Sequence, residues 1–200
     1  MIFEVIGINR HRIGIDGRGV TTLVGLAGCP LNCKYCLNLG ILHCVKPKQL
    51  TSEELLRLVM KDYCYFVATH GGITFGGGEP LLHYKQIIEF GNLLPIDISI
   101  NLETSLNFNS NAVKYLADII KEWIIDIKDT NNTIYEAYTG KTFDTVLENL
   151  KLLANLGLQD KCTVRVPLIP NYNTDIDRTK SLTLLNRLGY INIEKFDYLV

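Results

Sequence analysis

No long apolar run, no block of like charge and no internal repeat marks this 200-residue chain. Its apolar stretches fall short of the roughly 18 residues a membrane helix needs, so a spanning segment is not expected. The start, Met1-Ile2-Phe3-Glu4-Val5, lacks a cationic region ahead of an apolar one and does not read as a secretory leader. Twenty basic residues against 21 acidic ones leave a net charge of −1, which supplies neither a basic face for nucleic acid nor a charged tail. An apolar fraction of 47% with 20% charged residues is that of an ordinary globular protein, and this length buries a real core. The expectation is one cytoplasmic domain over residues 1–200, with no nucleic-acid and no membrane partner.

Cysteine, by contrast, is present six times. A disulfide framework belongs to short secreted chains, and this chain is long and shows no leader. Cys29, Cys33 and Cys36 are clustered in Gly28-Cys29-Pro30-Leu31-Asn32-Cys33-Lys34-Tyr35-Cys36-Leu37-Asn38. Cys44, Cys64 and Cys162 are scattered and read as small buried hydrophobes. The C-x3-C-x2-C spacing offers three thiolates to one centre. Most cubane [4Fe–4S] clusters take four thiolates. Three leave one iron open to a substrate or cofactor. Zinc wants four ligands. His43 or Cys44 could complete such a set, so zinc stays open on spacing alone.

Apolar periodicity divides the rest into strands and helices. Strands are expected at Thr21–Leu26, Gly72–Phe75, Asp97–Leu102, Trp123–Lys128, Thr163–Ile169 and Lys195–Val200. Helices are expected from Thr51 to about Val67, and over Tyr84–Leu93, Asn111–Lys121, Thr142–Leu156 and Ile176–Leu188. Thr51 and Glu54 stand at capping-box spacing, and Gly157 lies just past a helix end. Strand–helix alternation implies a parallel sheet with right-handed crossovers. Six units are too few for a closed eight-stranded barrel, so the fold class is α/β, a partial (β/α)6 open TIM-like barrel. Chemistry in such folds lies at the carboxyl ends of the strands.

The polar residues fall at those ends. The cysteines follow the first strand, Gly76-Gly77-Gly78-Glu79-Pro80 the second, and Glu103-Thr104 the third. Asp126 and Lys128 end the fourth, on one face because Ile127 points the other way. Arg165 and Pro167 lie late in the fifth. Each has a plainer reading: a glycine-rich strand-to-helix turn, a solvated Glu79, strand-end charges at Asp126 and Lys128, a salt-bridge partner in Arg165. Tyr138 and Trp123 read as packing residues. Cys44, Cys64, Cys162 and the four histidines are assigned no role.

Taken together, the C-x3-C-x2-C run and Gly77-Gly78-Glu79-Pro80 resemble the radical S-adenosylmethionine (SAM) enzymes. Arg12-Ile13-Gly14-Ile15-Asp16-Gly17-Arg18-Gly19-Val20 resembles the DGPG lead-in of the glycyl-radical-enzyme activating enzymes within that family. Asp126-Ile127-Lys128 resembles their DIK motif. Tyr138-Thr139-Gly140, Leu147-Glu148-Asn149-Leu150 and Arg165-Val166-Pro167-Leu168-Ile169-Pro170 continue the pattern in order. The resemblance runs from about Arg12 to Val200. It departs at Arg18, where proline is usual, at Gly76, where serine is common, and at Glu103, where aspartate is found.

The resemblance implies one [4Fe–4S] cluster on Cys29, Cys33 and Cys36, with no room for a ferredoxin-like insert before Gly76. It implies SAM held by Gly77, Gly78 and Glu79, with Glu103, Lys128, Arg165 and Pro167 as further contacts. Glu103 and Asp126 would help bind a monovalent cation. The implied activity is reductive cleavage of SAM, with the 5′-deoxyadenosyl radical generating a glycyl radical on a partner enzyme. A low-potential donor such as flavodoxin or ferredoxin would supply the electron. The alternatives are a radical SAM enzyme modifying a peptide or small molecule, such as a peptide maturase or deazapurine-type synthase, and a non-enzymatic iron–sulfur or zinc module.

Overall fold

The computed structural model describes residues 1–40 and 46–198. His43 and Cys44, the candidates for a fourth zinc ligand, lie outside that range, as do the last two residues of the sixth expected strand.

One eight-stranded sheet has the order β3-β1-β2-β4-β5-β6-β7-β8. The strands are β1 Ile2–Ile13, β2 Val20–Leu26, β3 Lys48–Thr51, β4 Gly72–Gly77, β5 Ser99–Thr104, β6 Glu122–Asp126, β7 Cys162–Leu168 and β8 Ile193–Asp197. From β2 through β8 every neighbouring pair is parallel, as the six-unit pattern predicts. β3 and β8 stand at opposite ends of the sheet, which is open.

The helices are α1 Ser52–Val59, α2 Tyr63–Thr69, α3 Tyr84–Gly91, α4 Ser110–Leu116, α5 Asn132–Thr139, α6 Asp144–Asn155 and α7 Asp175–Arg187. α1 opens with the expected capping box: the Thr51 amide donates to Glu54 Oε2 at 2.9 Å and the Glu54 amide to Thr51 Oγ1 at 3.2 Å. Gly157, past the end of α6, is left-handed at φ +69°.

Alternation of the strands sorts their two faces. The face towards the helices is apolar. Phe3 stacks on Phe75 at 5.6 Å between centroids, and Phe90 of α3 meets both rings edge-on. The concave face carries Thr74, Asn101, Glu103, Asp126 and Arg165, and it is polar because it lines the barrel interior. The registers Thr74↔Asn101, Glu103↔Ile124 and Asp126↔Arg165 place these side chains on one surface.

Five elements differ from expectation. β1 and β3 add an antiparallel hairpin arm to the parallel sheet. Their half-exposed faces break the apolar run that would mark them in sequence. The helix expected from Thr51 to Val67 is broken by a 3-10 turn, Met60–Asp62. Asp62 turns inward there, fully buried, to accept from Thr22 Oγ1 at 2.6 Å and to pair with Arg10. α5 has no counterpart in the expected pattern, since its buried face is two tyrosines and a threonine rather than an aliphatic stripe. The helix expected to reach Lys121 ends at Leu116. Of the scattered cysteines, Cys162 is buried as expected, but Cys64 is exposed on α2.

Candidate iron–sulfur and cofactor site

The loop after β2 bends at Gly28, which is left-handed at φ +82°. It then crosses the carboxyl edge of the sheet and docks on the end of α5. The Asn32 amide donates to Thr139 O at 2.8 Å and the Lys34 amide to Tyr138 O at 3.2 Å. Gly140 ends α5 in the left-handed conformation that a helix C-terminus favours. Tyr35, between two cysteines, donates its hydroxyl to Pro170 O at 3.3 Å, and its ring lies 5.8 Å from that of Tyr172. Asn38 Nδ2 donates to Gly77 O at 2.9 Å. Three neighbouring segments thus fix the cysteine loop.

Cys29, Cys33 and Cys36 are free and partly buried. Burial pushes the Cys29 thiol up to about 11 and the Cys33 thiol up to about 12. Metal binding to these thiols would therefore release protons.

The glycine loop is sewn to the same edge. The Gly78 amide donates to Leu26 O at 2.9 Å and the Glu79 amide to Gly28 O at 2.8 Å. A Cβ on Gly78 would lie 2.1 Å from Gly28 O, and one on Gly77 (φ +83°) 2.8 Å from Gly25 Cα. These two positions require glycine. A Cβ on Gly76 would lie 3.0 Å from the Glu103 carboxylate, 3.1 Å from Glu103 Cβ and 3.3 Å from Leu23 Cδ1, so serine can stand there once these side chains give by a few tenths of an ångström.

Glu79 is not solvated. Its carboxylate is buried and accepts from Thr104 Oγ1 at 2.6 Å, Ser105 Oγ at 2.6 Å, the Ser105 amide at 3.0 Å and the Leu81 amide at 3.2 Å. It bolts the glycine loop to the end of β5. Burial raises its pKa although all four donors favour the charged form. Ser105 had no signal in the sequence pattern and is found only by this contact.

The remaining charges are paired. Lys128 Nζ forms an ion pair with Asp126, donates to Tyr198 Oη at 2.9 Å and sits 5.7 Å from the Tyr198 ring centre. Burial alone would lower the Lys128 pKa, but Asp126 holds it well above the usual value. Arg165 Nη1 meets Glu103 Oε1 at 2.8 Å and Arg165 Nε meets Glu194 Oε2 at 3.1 Å. Burial raises the Glu103 pKa, and Arg165 opposes that rise. Pro167 is buried on β7, its carbonyl taken by Asn173 Nδ2 at 3.1 Å. Asp126 Oδ1 is buried with no partner among the described residues.

The Ile15–Gly19 segment closes the opposite, lower part of the concave face. Asp16 is buried and held by Arg12 Nε at 2.5 Å. Arg165 donates to Ile15 O and Thr74 to Asp16 O. Arg18, which stands where proline is usual in the lead-in it resembles, is clamped by Glu122. Its amide donates at 3.0 Å and its Nε lies 2.8 Å from the second carboxylate oxygen. Arg18 therefore braces the base of the barrel.

The three thiols, the glycine loop, Asp126, Lys128 and Tyr198 converge on one rim. Among the described residues, no three His, Cys, Asp or Glu side chains gather as ligands of a single metal ion. A cubane distributes its cysteines over separate irons. It asks for three soft donors along one fixed loop, which this loop supplies, and the unpartnered Asp126 Oδ1 is an acceptor left for a cationic group. The residues fit an iron–sulfur centre with an adjoining polar ligand.

An open α/β barrel carrying a three-cysteine loop on its carboxyl rim defines the class. The chain belongs to the radical SAM superfamily, whose family profile matches residues 23–182. It is 29% identical over 188 residues to the pyruvate formate-lyase-activating enzyme of Clostridium pasteurianum, covering 92% of this chain and 76% of the relative. It is 26% identical over 266 residues to the 4-hydroxyphenylacetate decarboxylase activating enzyme of Clostridioides difficile strain 630, covering 98% and 81%. Streptococcus suis SuiB, solved bound to S-adenosylmethionine, superposes with a TM-score of 0.68 at 14% identity. That match covers 88% of this chain but 41% of SuiB, and it speaks to the fold. Among the described residues no helix is long and apolar enough to cross a membrane.

Proposed function

We propose that this chain is an activating enzyme that uses SAM and one [4Fe–4S] cluster to install a glycyl radical on a partner enzyme. The observation that carries the reading is the convergence of Cys29, Cys33 and Cys36 with the Gly77–Gly78 backbone on one rim. Its extension to activation rests on relatives with that role aligning over 92% and 98% of the chain. When bound, the cluster and SAM supply one-electron cleavage of the sulfonium and a radical that takes hydrogen from a glycine Cα.

The chain's own residues hold and orient. Cys29, Cys33 and Cys36 would ligate three irons. Gly77 and Gly78 bring bare backbone close enough to meet the methionine end of SAM, and Glu79 stiffens that loop from behind. Lys128, Arg165 and Pro167 form the far wall. Glu103 and Asp126 each spend one carboxylate oxygen, on Arg165 and Lys128, and Asp126 Oδ1, buried without a partner among the described residues, is the acceptor assigned to a monovalent cation. No histidine or carboxylate base is needed. A flavodoxin- or ferredoxin-like donor would supply the electron. The two relatives are named for different partners, so the partner is defined by its glycine chemistry alone.

The test is anaerobic reconstitution with iron and sulfide, then addition of dithionite and SAM. 5′-Deoxyadenosine from the wild type and none from Cys33→Ala is the expected result. A glycyl-radical doublet on an added glycyl radical enzyme would establish activation. Turnover coupled to a peptide or small molecule, with no such doublet, would overturn activation in favour of a modifying enzyme.

A further inference from the structure

The end of α5 does more than anchor the cysteine loop. Reduction potentials of iron–sulfur centres rise with hydrogen bonds donated to the sulfurs and fall when those donors are absent. Amides in a loop that wraps a cluster are the natural donors. Three of them are engaged elsewhere. The Asn32 amide is spent on Thr139 O at 2.8 Å, the Lys34 amide on Tyr138 O at 3.2 Å, and the Cys36 amide on Cys33 O at 3.2 Å. The acceptors Tyr138 O and Thr139 O are last-turn carbonyls of α5, and they present the negative end of the helix dipole to the loop. Negative potential opposes addition of an electron nearby. The nearest buried cation, Lys128, is offset by Asp126.

We propose that the Tyr138–Thr139–Gly140 turn tunes the centre to low potential, by withholding the Asn32 and Lys34 amides from the cluster sulfurs and turning helix carbonyls towards the cysteine loop. The turn is a positioning element: it touches the ligand loop and acts through it. This assigns work to a motif that holds no ligand. It rests on the reading that the three cysteines hold a [4Fe–4S] cluster.

Gly140 makes the turn testable. It is left-handed at φ +76°, and nothing lies within 4 Å of where a Cβ would stand, so a β-branched residue would disturb the turn without a clash. Gly157 is its match at the end of α6, left-handed at φ +69° and equally open. The measurement is an EPR-monitored redox titration of the reconstituted cluster without SAM, for the wild type, Gly140→Val and Gly157→Val. The expected result is a higher midpoint potential in Gly140→Val and no shift in Gly157→Val. An unshifted Gly140→Val with an intact cluster overturns the inference. So does an equal shift in Gly157→Val, which would report general softening.

A second measurement needs no variant. Electron–nuclear double resonance on the reduced wild type, with backbone ¹⁵N in lysine, should show no coupling from Lys34, the one lysine of the cysteine loop. Such coupling would mean that this amide does reach the sulfurs, and the inference fails. If no cluster forms in the wild type, the parent reading and this one fall together. A cluster of unchanged potential in Gly140→Val removes this one alone.

Discussion

Removing the Glu79 carboxylate should damage stability more than any single change at an exposed charge of this protein. In Glu79→Ala the Leu81 and Ser105 amides lose their acceptor inside the protein. Each stranded buried amide costs about 1–3 kcal/mol. The hydroxyls of Thr104 and Ser105 can re-aim and add little. Part of the loss is returned, because burying the carboxylate was itself unfavourable, as its raised pKa shows. The net expectation is about 3–4 kcal/mol. Glu79→Gln keeps the shape and one acceptor oxygen, and it should cost about 1 kcal/mol. The pH dependence has a definite sign. A carboxyl whose native pKa is raised contributes stability that is complete below its unfolded value of 4.5 and is lost as pH rises through the native value. Glutamine does not titrate, so its deficit against the wild type should narrow as pH rises. Urea denaturation of all three proteins from about pH 4, in the carboxylate range, to about pH 8 measures both quantities. Equal damage from alanine and glutamine, or a gap that widens with pH, would refute the assignment of Glu79 as a buried strut.

Three further outcomes follow from the same geometry. Gly78→Ala forces a Cβ to within 2.1 Å of Gly28 O and should destabilise by about 3 kcal/mol in a thermal melt, whereas Gly76→Ser should stay within about 1 kcal/mol of the wild type. Asp62→Asn should cost about 2 kcal/mol at neutral pH by urea titration. Burial alone would raise the Asp62 pKa, but Arg10 and Thr22 hold it down, so that contribution is present above 3.8 and lost as pH falls through the depressed native value. Cys33→Ala should fold yet retain no iron after anaerobic reconstitution and gel filtration, and iron retained at wild-type level would exclude Cys33 as a ligand.

Much of this protein is legible in its residues. The spacing of Cys29, Cys33 and Cys36 is local along the chain, and so is the glycine run that follows the next parallel strand. β2, β4, β5, β6, β7 and β8 alternate with helical segments, which is why their parallel pairing in one sheet could be expected from periodicity and crossover rules. Parallel pairing did the rest, since it puts the carboxyl ends of these strands on one rim. What the sequence could not show were relations between residues far apart along it. β1 and β3 pair at an edge where half the side chains face water, so their pattern is weak. Glu79 looks like a surface carboxylate until Thr104 and Ser105, about 25 residues on, are brought against it. Arg18 looks like a lost proline until Glu122 closes on it from 104 residues away. The α5 turn has no aliphatic stripe to announce it, and its bonds to Asn32 and Lys34 exist only once the barrel is assembled. Local chemistry is written in local spacing. The partner that a buried polar group finds is decided by packing, because only the folded chain removes water and leaves that partner as the remaining source of hydrogen bonds.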